Sequence, residues 1–177
     1  LRFNDPYTGA TNAGGDGSSG APYLISSKDH FNYMGMLVNS DPSNYANKHF
    51  KLTQDLTYNG GTMMMGSSSN PFTGTLDGGG FKITGMKFSL NMDGAGLVRY
   101  SENATIKNLT IEIDGVDSIR SGTTAASYIG AVIGYDKGGS TVDNVHVKGT
   151  DTTASNNVIK GYQYVGGLVG KAHDINN

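Results

Sequence analysis

Tyr128-Ile-Gly-Ala-Val-Ile-Gly134 and Tyr164-Val-Gly-Gly-Leu-Val-Gly170 match position for position at a spacing of 36 residues. The first copy runs on into Thr141-Val-Asp-Asn-Val-His-Val147, which has a counterpart 36 residues earlier in Thr105-Ile-Lys-Asn-Leu-Thr-Ile111. Ile83-Thr-Gly-Met-Lys-Phe88 reads as a third relative, with Gly85 in the place of Asn108 and Asn144, and Gly94-Ala-Gly-Leu-Val98 as a degenerate copy of the Gly/aliphatic block. The second block alternates apolar and polar residues with a period of two, which is strand spacing and not helix spacing. A unit of two or three short strands cannot bury its own apolar face, so successive units must stack and share a core. The expectation is an all-β parallel β-helix (β-solenoid).

In such a stack, equivalent residues lie about 4.8 Å apart and form ladders. The repeat predicts an aliphatic column of Ile83, Ile106, Val142 and Ile175 and a second of Met86, Leu109 and Val145. Asn108, Asn144 and Asn177 are expected at turns between them, amide over amide. Gly130, Gly134, Gly166 and Gly170 are expected where the backbone takes positive φ or another segment comes close.

Three regions follow. Residues 1–22 carry no apolar periodicity and are dense in Gly, Asn, Asp and Ser. Residues 23–76 hold a short strand, Pro22-Tyr-Leu-Ile-Ser26, then a helix near 27–39 with Ser26 as N-cap and Asp29 at the capping-box position. Phe31, Met34, Leu37 and Val38 form its apolar stripe, Asp41-Pro42 ends it, and it is suited to capping the stack. Residues 77–177 are the coils. They stop at Asp174-Ile-Asn-Asn177, part-way through a second block, which predicts either a fragment of a longer array or a subunit that stacks end to end.

A net charge of −2 without a Lys/Arg cluster argues against nucleic acid, and no apolar run approaches the ~18 residues of a membrane span. Leu1-Arg-Phe-Asn-Asp5 lacks a signal-peptide core, which reads as a mature, soluble chain. The 27 Gly residues have no collagen period and the absence of Cys excludes disulfides, so turns account for the glycine.

Candidate sites are few. Asp5, Asn12 and Asp16 offer oxygen ligands of the kind calcium prefers, though solvated turns are the favoured explanation and their spacing matches no EF-hand. Tyr128 with Tyr164, and Tyr100 with Tyr135, share a register and are the ligand-binding candidates, as aromatic faces for a glycan or a protein surface; stacking that only stabilises the solenoid is the alternative. Asp114, Asp117, Asp136 and Asp143, with Arg120 and Lys137, are the acids and cations a polysaccharide lyase or hydrolase would draw on. No two of these carboxylates recur at one register in adjacent units, so the expectation is a non-catalytic protein. His146 alternates with Val145 and Val147 and is expected to face solvent.

Pro22-Tyr-Leu-Ile-Ser26 with Asp29, Phe50-Lys-Leu-Thr53 with Asp55-Leu56, Phe72-Thr-Gly-Thr75 with Asp77-Gly78, and Gly167-Leu-Val-Gly170 together resemble bacterial GLUG-motif proteins, over nearly the whole chain from about Gly15. Two places depart from the pattern: Arg99 stands where the last motif Gly belongs, and Ala131-Val132 replaces Gly-Leu. The resemblance implies a right-handed β-helix in a surface-exposed or secreted protein, adhesin-like, with no catalytic residues to carry across. A rigid stalk or binding surface outside the cell is the implied role.

Overall fold

The computed structural model describes residues 14–90, 93–113, 119–121, 128–149, 159–160 and 163–173. In chain order these form β1 (Tyr23–Ile25), α1 (Lys28–Ser40), α2 (Pro42–Tyr45), β2 (His49–Leu52), β3 (Leu56–Gly61), β4 (Thr75–Asp77) and β5 (Lys82–Leu90). There follow β6 (Gly94–Ala95), β7 (Val98–Ser101), β8 (Thr105–Ile113), β9 (Ile119–Ser121), β10 (Tyr128–Ile129), β11 (Ile133–Asp136), β12 (Thr141–Gly149), β13 (Ile159–Lys160) and β14 (Val169–Lys171). The fold is mostly β, and every strand pairing among the described residues is parallel.

The sheets curl because each pass of the chain lies against the next with its apolar residues turned the same way. One column runs Tyr23, Phe50, Leu76, Ile106, Val142. A second runs Leu56, Ile83, Ile111, Val147. A third runs Met65, Val98, Ile133, Val169. Ile106 and Val142 thus sit side by side on parallel strands, as the repeat predicts.

Two ladder assignments are corrected. Ile83 lies opposite Leu56 and Ile111, and Leu76 holds the place below Ile106. Met86 lies opposite Gly60, not Leu109, while Leu109 does pair with Val145. The cause is uneven length. Partners in the first column are 27, 26, 30 and 36 residues apart, so within it the 36-residue spacing holds only between Ile106 and Val142. Ile175 and Asn177 lie outside the described residues.

The asparagine ladder forms at a corner inside a strand. Asn108 and Asn144 have φ of 52° and 49°, a left-handed conformation that Asn tolerates better than most residues, and each bends its strand there. The Asn144 amide donates to the Asn108 side-chain oxygen at 3.0 Å, and the Asn108 amide donates to the Asp77 carboxylate at 3.2 Å. Gly85, at φ 69°, makes the same kind of corner in β5. A methyl group there would lie 2.1 Å from the Tyr58 carbonyl oxygen, which explains glycine in place of asparagine.

The glycines of the repeat serve close approach. A methyl at Gly130 would come within 2.3 Å of the Ile133 carbonyl oxygen and 2.6 Å of that of Leu168, on the next pass. At Gly166 it would meet the Val169 oxygen at 1.9 Å. Positive φ is not the reason for either.

Helix α1 begins one residue later than predicted. Ser27, not Ser26, accepts from the His30 backbone N–H as N-cap, because Ser26 instead turns its hydroxyl to the His30 ring, 3.1 Å from Nδ1. Phe31, Met34 and Val38 are fully buried against the first passes. At about 1.5–3 kcal/mol per large apolar side chain removed from water, this face anchors the helix.

Candidate functional site

The four tyrosines singled out by the repeat fall into one cluster. Tyr128 precedes Ile129, which sits between Ala95 and Val165, so Tyr128 and Tyr164 are neighbours in one column with ring centroids 5.5 Å apart. Tyr135 lies opposite Tyr100 at 5.8 Å. Tyr128 and Tyr135 approach to 4.8 Å and join the two columns.

Lys171 is the residue that sequence reasoning missed. It takes the rung after Tyr135, and its ammonium stands 5.3 Å from the Tyr128 ring centre, 5.0 Å from Tyr135 and 5.1 Å from Tyr164. An ammonium over aromatic faces is attracted by their negative quadrupole, worth about 0.5–2 kcal/mol depending on desolvation. The signal was present: Lys171 follows Tyr135 by the same 36 residues that relate Tyr128 to Tyr164. The aromatic surface therefore carries a cation of its own.

Exposure rises along the cluster toward the last pass. Tyr100 is 3% exposed, which removes its ring from any surface for a ligand, whereas Tyr164 is 52% exposed. Tyr164 also has φ 46°, a strained conformation for a bulky residue. Tyr128 and Tyr135 lie between these extremes.

At the buried end, the Tyr100 hydroxyl donates to Asp93 at 2.8 Å, and the Arg99 guanidinium pairs with the same carboxylate. Burial alone raises the Asp93 carboxyl. The Tyr100 hydroxyl and then Arg99 outweigh it, so that Asp93 is held below the usual carboxylate range. Burial, followed by the bond to Asp93, pushes the Tyr100 hydroxyl well above its ordinary value.

Arg99 also lines a cleft of about 520 Å³ between α1 and the segment after β3, bounded by Asn32, Asn39, Thr62, Met63 and Met64. Asn39 holds one wall by donating to the Met64 carbonyl at 2.8 Å and accepting from the Gly66 N–H at 2.8 Å. Thr62 Oγ1 and Arg99 Nε are buried without a hydrogen-bond partner among the described residues, and both residues line this cleft. Both atoms are shut away from solvent, so neither is presented to the cleft.

The remaining candidates are placed as follows. Asp136 accepts from Ser101 Oγ at 3.0 Å and from the Gly138 N–H at 3.3 Å, and Asp143 is an exposed strand residue opposite Lys107. Lys137 reaches the Ser68 carbonyl at 3.1 Å. Asp114 and Asp117 lie outside the described residues, as does the side chain of Arg120. Asp5 and Asn12 do too, while Asp16 accepts the Ser18 N–H at 2.9 Å in a turn. Among the described residues no three His, Asp or Glu gather as a metal site. His146 is exposed and lies opposite Thr110, as its alternation predicts. Among the described residues no helix is long and apolar enough to cross a membrane.

No family model matches the chain, and neither does any solved structure. The chain is 31% identical over 150 residues to a protein of Evansella cellulosilytica that is named as a Gly-rich membrane protein, a match over 77% of this chain and 15% of that one. It is 33% identical over 167 residues to the halomucin of Haloquadratum walsbyi, over 89% of this chain and 2% of the other. The chain thus spans a small part of the length of both relatives.

Proposed function

We propose that this chain is a non-catalytic, extracellular repeat module of the GLUG type, a right-handed parallel β-helix that serves as a rigid stalk or adhesive surface. The observation that carries the reading is the unbroken column Tyr23, Phe50, Leu76, Ile106, Val142, in which five passes stack in register. Stiffness of this kind is a sum of neighbour contacts and needs no ligand. The acids support the non-catalytic reading, since Asp136 is engaged by Ser101 and Gly138 while Asp143 faces Lys107. The relatives' names support a surface role. Antibody labelling of intact cells producing the full-length protein is expected to reach this module without permeabilisation, and labelling only after permeabilisation would reject the reading. Turnover of polygalacturonate, alginate or chitin, abolished in Asp143→Asn, would reject its non-catalytic part.

The tyrosine cluster works in this reading as a clasp, with Lys171 holding the last pass to the one before it. Tyr128, Tyr135 and Tyr164 remain the faces for a protein or glycan partner. A second reading, glycan binding, is favoured at Tyr164, whose ring is 52% exposed and can stack on a sugar. Titration with a panel of neutral and acidic oligosaccharides, followed by NMR, tests it: shifts centred on Tyr164 and lost in Tyr164→Ala are expected. Calcium at Asp5, Asn12 and Asp16 is tested by thermal unfolding in calcium against EGTA, where bound calcium raises Tm.

A further inference from the structure

The outward residues of the first sheet alternate in charge from pass to pass. Beside the buried column, the next position reads Lys51, Asp77, Lys107, Asp143. Each charge has an opposite charge on the neighbouring strand, and Lys107 Nζ lies 3.8 Å from the Asp77 carboxylate. Cross-strand pairs of opposite charge stabilise a sheet, whereas like charges opposite each other destabilise it. Among the described residues Asp143 is the end of the row.

The same strand, β12, is incomplete in two further ways. Its amide column ends at Asn144, which donates downward to Asn108 and leaves its own oxygen for a rung above. Its apolar residues Val142, Val145 and Val147 are partly exposed, although their partners Ile106, Leu109 and Ile111 are at most 1% exposed. Among the described residues β12 pairs only with β8, β13 only with β9 and β14 only with β11. Leu168, Val165 and Tyr164 are 39–52% exposed at the same end. An edge of this kind is a template for another strand.

Resting on the stacked-module reading above, we propose that β12 is a docking edge for one further coil of the same kind, whose parallel strand sets a Lys or Arg against Asp143 and an Asn against Asn144. Its pattern is aliphatic, cation, Asn, aliphatic, any residue, aliphatic, as in Ile106-Lys-Asn-Leu-Thr-Ile111. A second copy of this chain does not supply it. In β1, Leu24 occupies the position opposite Lys51, so stacking in register would set Leu24 against Asp143 and Ile25 against Asn144. The outer edge of β1 is also taken, since the Leu24 N–H donates to the Gly14 carbonyl at 3.0 Å. Among the described residues, in-register stacking of one copy on another therefore lacks these two matches.

A synthetic peptide with the sequence of Thr105–Ile113 and a spin label at its N-terminus provides the test, alongside a twin carrying Asp at the lysine position. NMR of the whole chain is expected to show protection of β12 amides and broadening centred near Thr141, with the Lys peptide binding about five-fold more tightly than its twin at low salt. In Asp143→Lys the preference inverts, and in high salt it shrinks. Binding in parallel with no charge preference overturns this inference while leaving the stacked module intact. Broadening centred near Gly149, which means antiparallel addition, sinks both. No binding at about 1 mM peptide, or dimerisation of the chain itself through β12, also overturns the docking claim.

Discussion

The two ends of the stack are built from similar apolar residues and treated in opposite ways. At the N-terminal end α1 buries Phe31, Met34 and Val38 completely, and Gly14 occupies the outer edge of β1. At the other end Tyr164, Val165 and Leu168 stand 52, 47 and 39% exposed, beside strands with one neighbour each among the described residues. A pass of this chain has apolar surface above and below. Its burial is a property of the next pass, so one end needs a helix and the other needs a coil.

The sharpest way to break the comparison is to truncate one residue at each end. Phe31→Ala is expected to cost about 3–5 kcal/mol in urea unfolding, because a large buried ring leaves a cavity. Val145→Ala at the open end is expected to cost less than about 1 kcal/mol, since that side chain is only partly buried. Equal losses would mean that the C-terminal end is covered in solution.

Gly166→Val comes next in size. Its side chain would collide with the Val169 carbonyl oxygen, so a loss of about 1–3 kcal/mol and a drop of several degrees in Tm are expected. An unchanged thermal scan would show that the last pass is not seated as described.

Lys171→Met sharpens the role of the clasp. Removing the ammonium from three tyrosine faces is expected to cost about 1 kcal/mol and to raise the protease sensitivity of the last pass, while Lys171→Arg retains most of the stability. Equal loss in both variants would assign the effect to packing of the stem.

The smallest effect is electrostatic. Burial raises the Asp77 carboxyl, but the Gly79 N–H, the Asn108 amide, Lys107 and Lys51 together hold it below the usual range. A carboxyl lowered by folding contributes stability that is complete above its unfolded pKa and is lost as pH falls through the folded value. Stability is therefore expected to decline below about pH 4, and less steeply in Asp77→Asn. An identical slope in the variant would take Asp77 out of the acid response.

Much of the last two passes was legible because their lengths agree. Tyr128 under Tyr164, Ile106 beside Val142 and Asn108 under Asn144 all follow from one offset. Earlier passes are shorter, so that aligning Ile83 by its motif put it in the wrong column, although its corner at Gly85 was recognised by analogy. The cleft was not legible at all, since Asn32, Thr62 and Arg99 come from three passes with no shared pattern.

By itself the sequence determined that the chain makes strands with one buried face, that successive passes run parallel, and where two of the corners fall. Those properties depend on alternation and on Asn and Gly conformations, which act over a few residues. Only the tertiary structure decided that Leu76 lies below Ile106, that Lys171 reaches across to three tyrosines, and that one end is closed while the other offers Asp143 and Asn144. Register between passes depends on how much chain each corner absorbs, and alternation along a strand carries no record of that length.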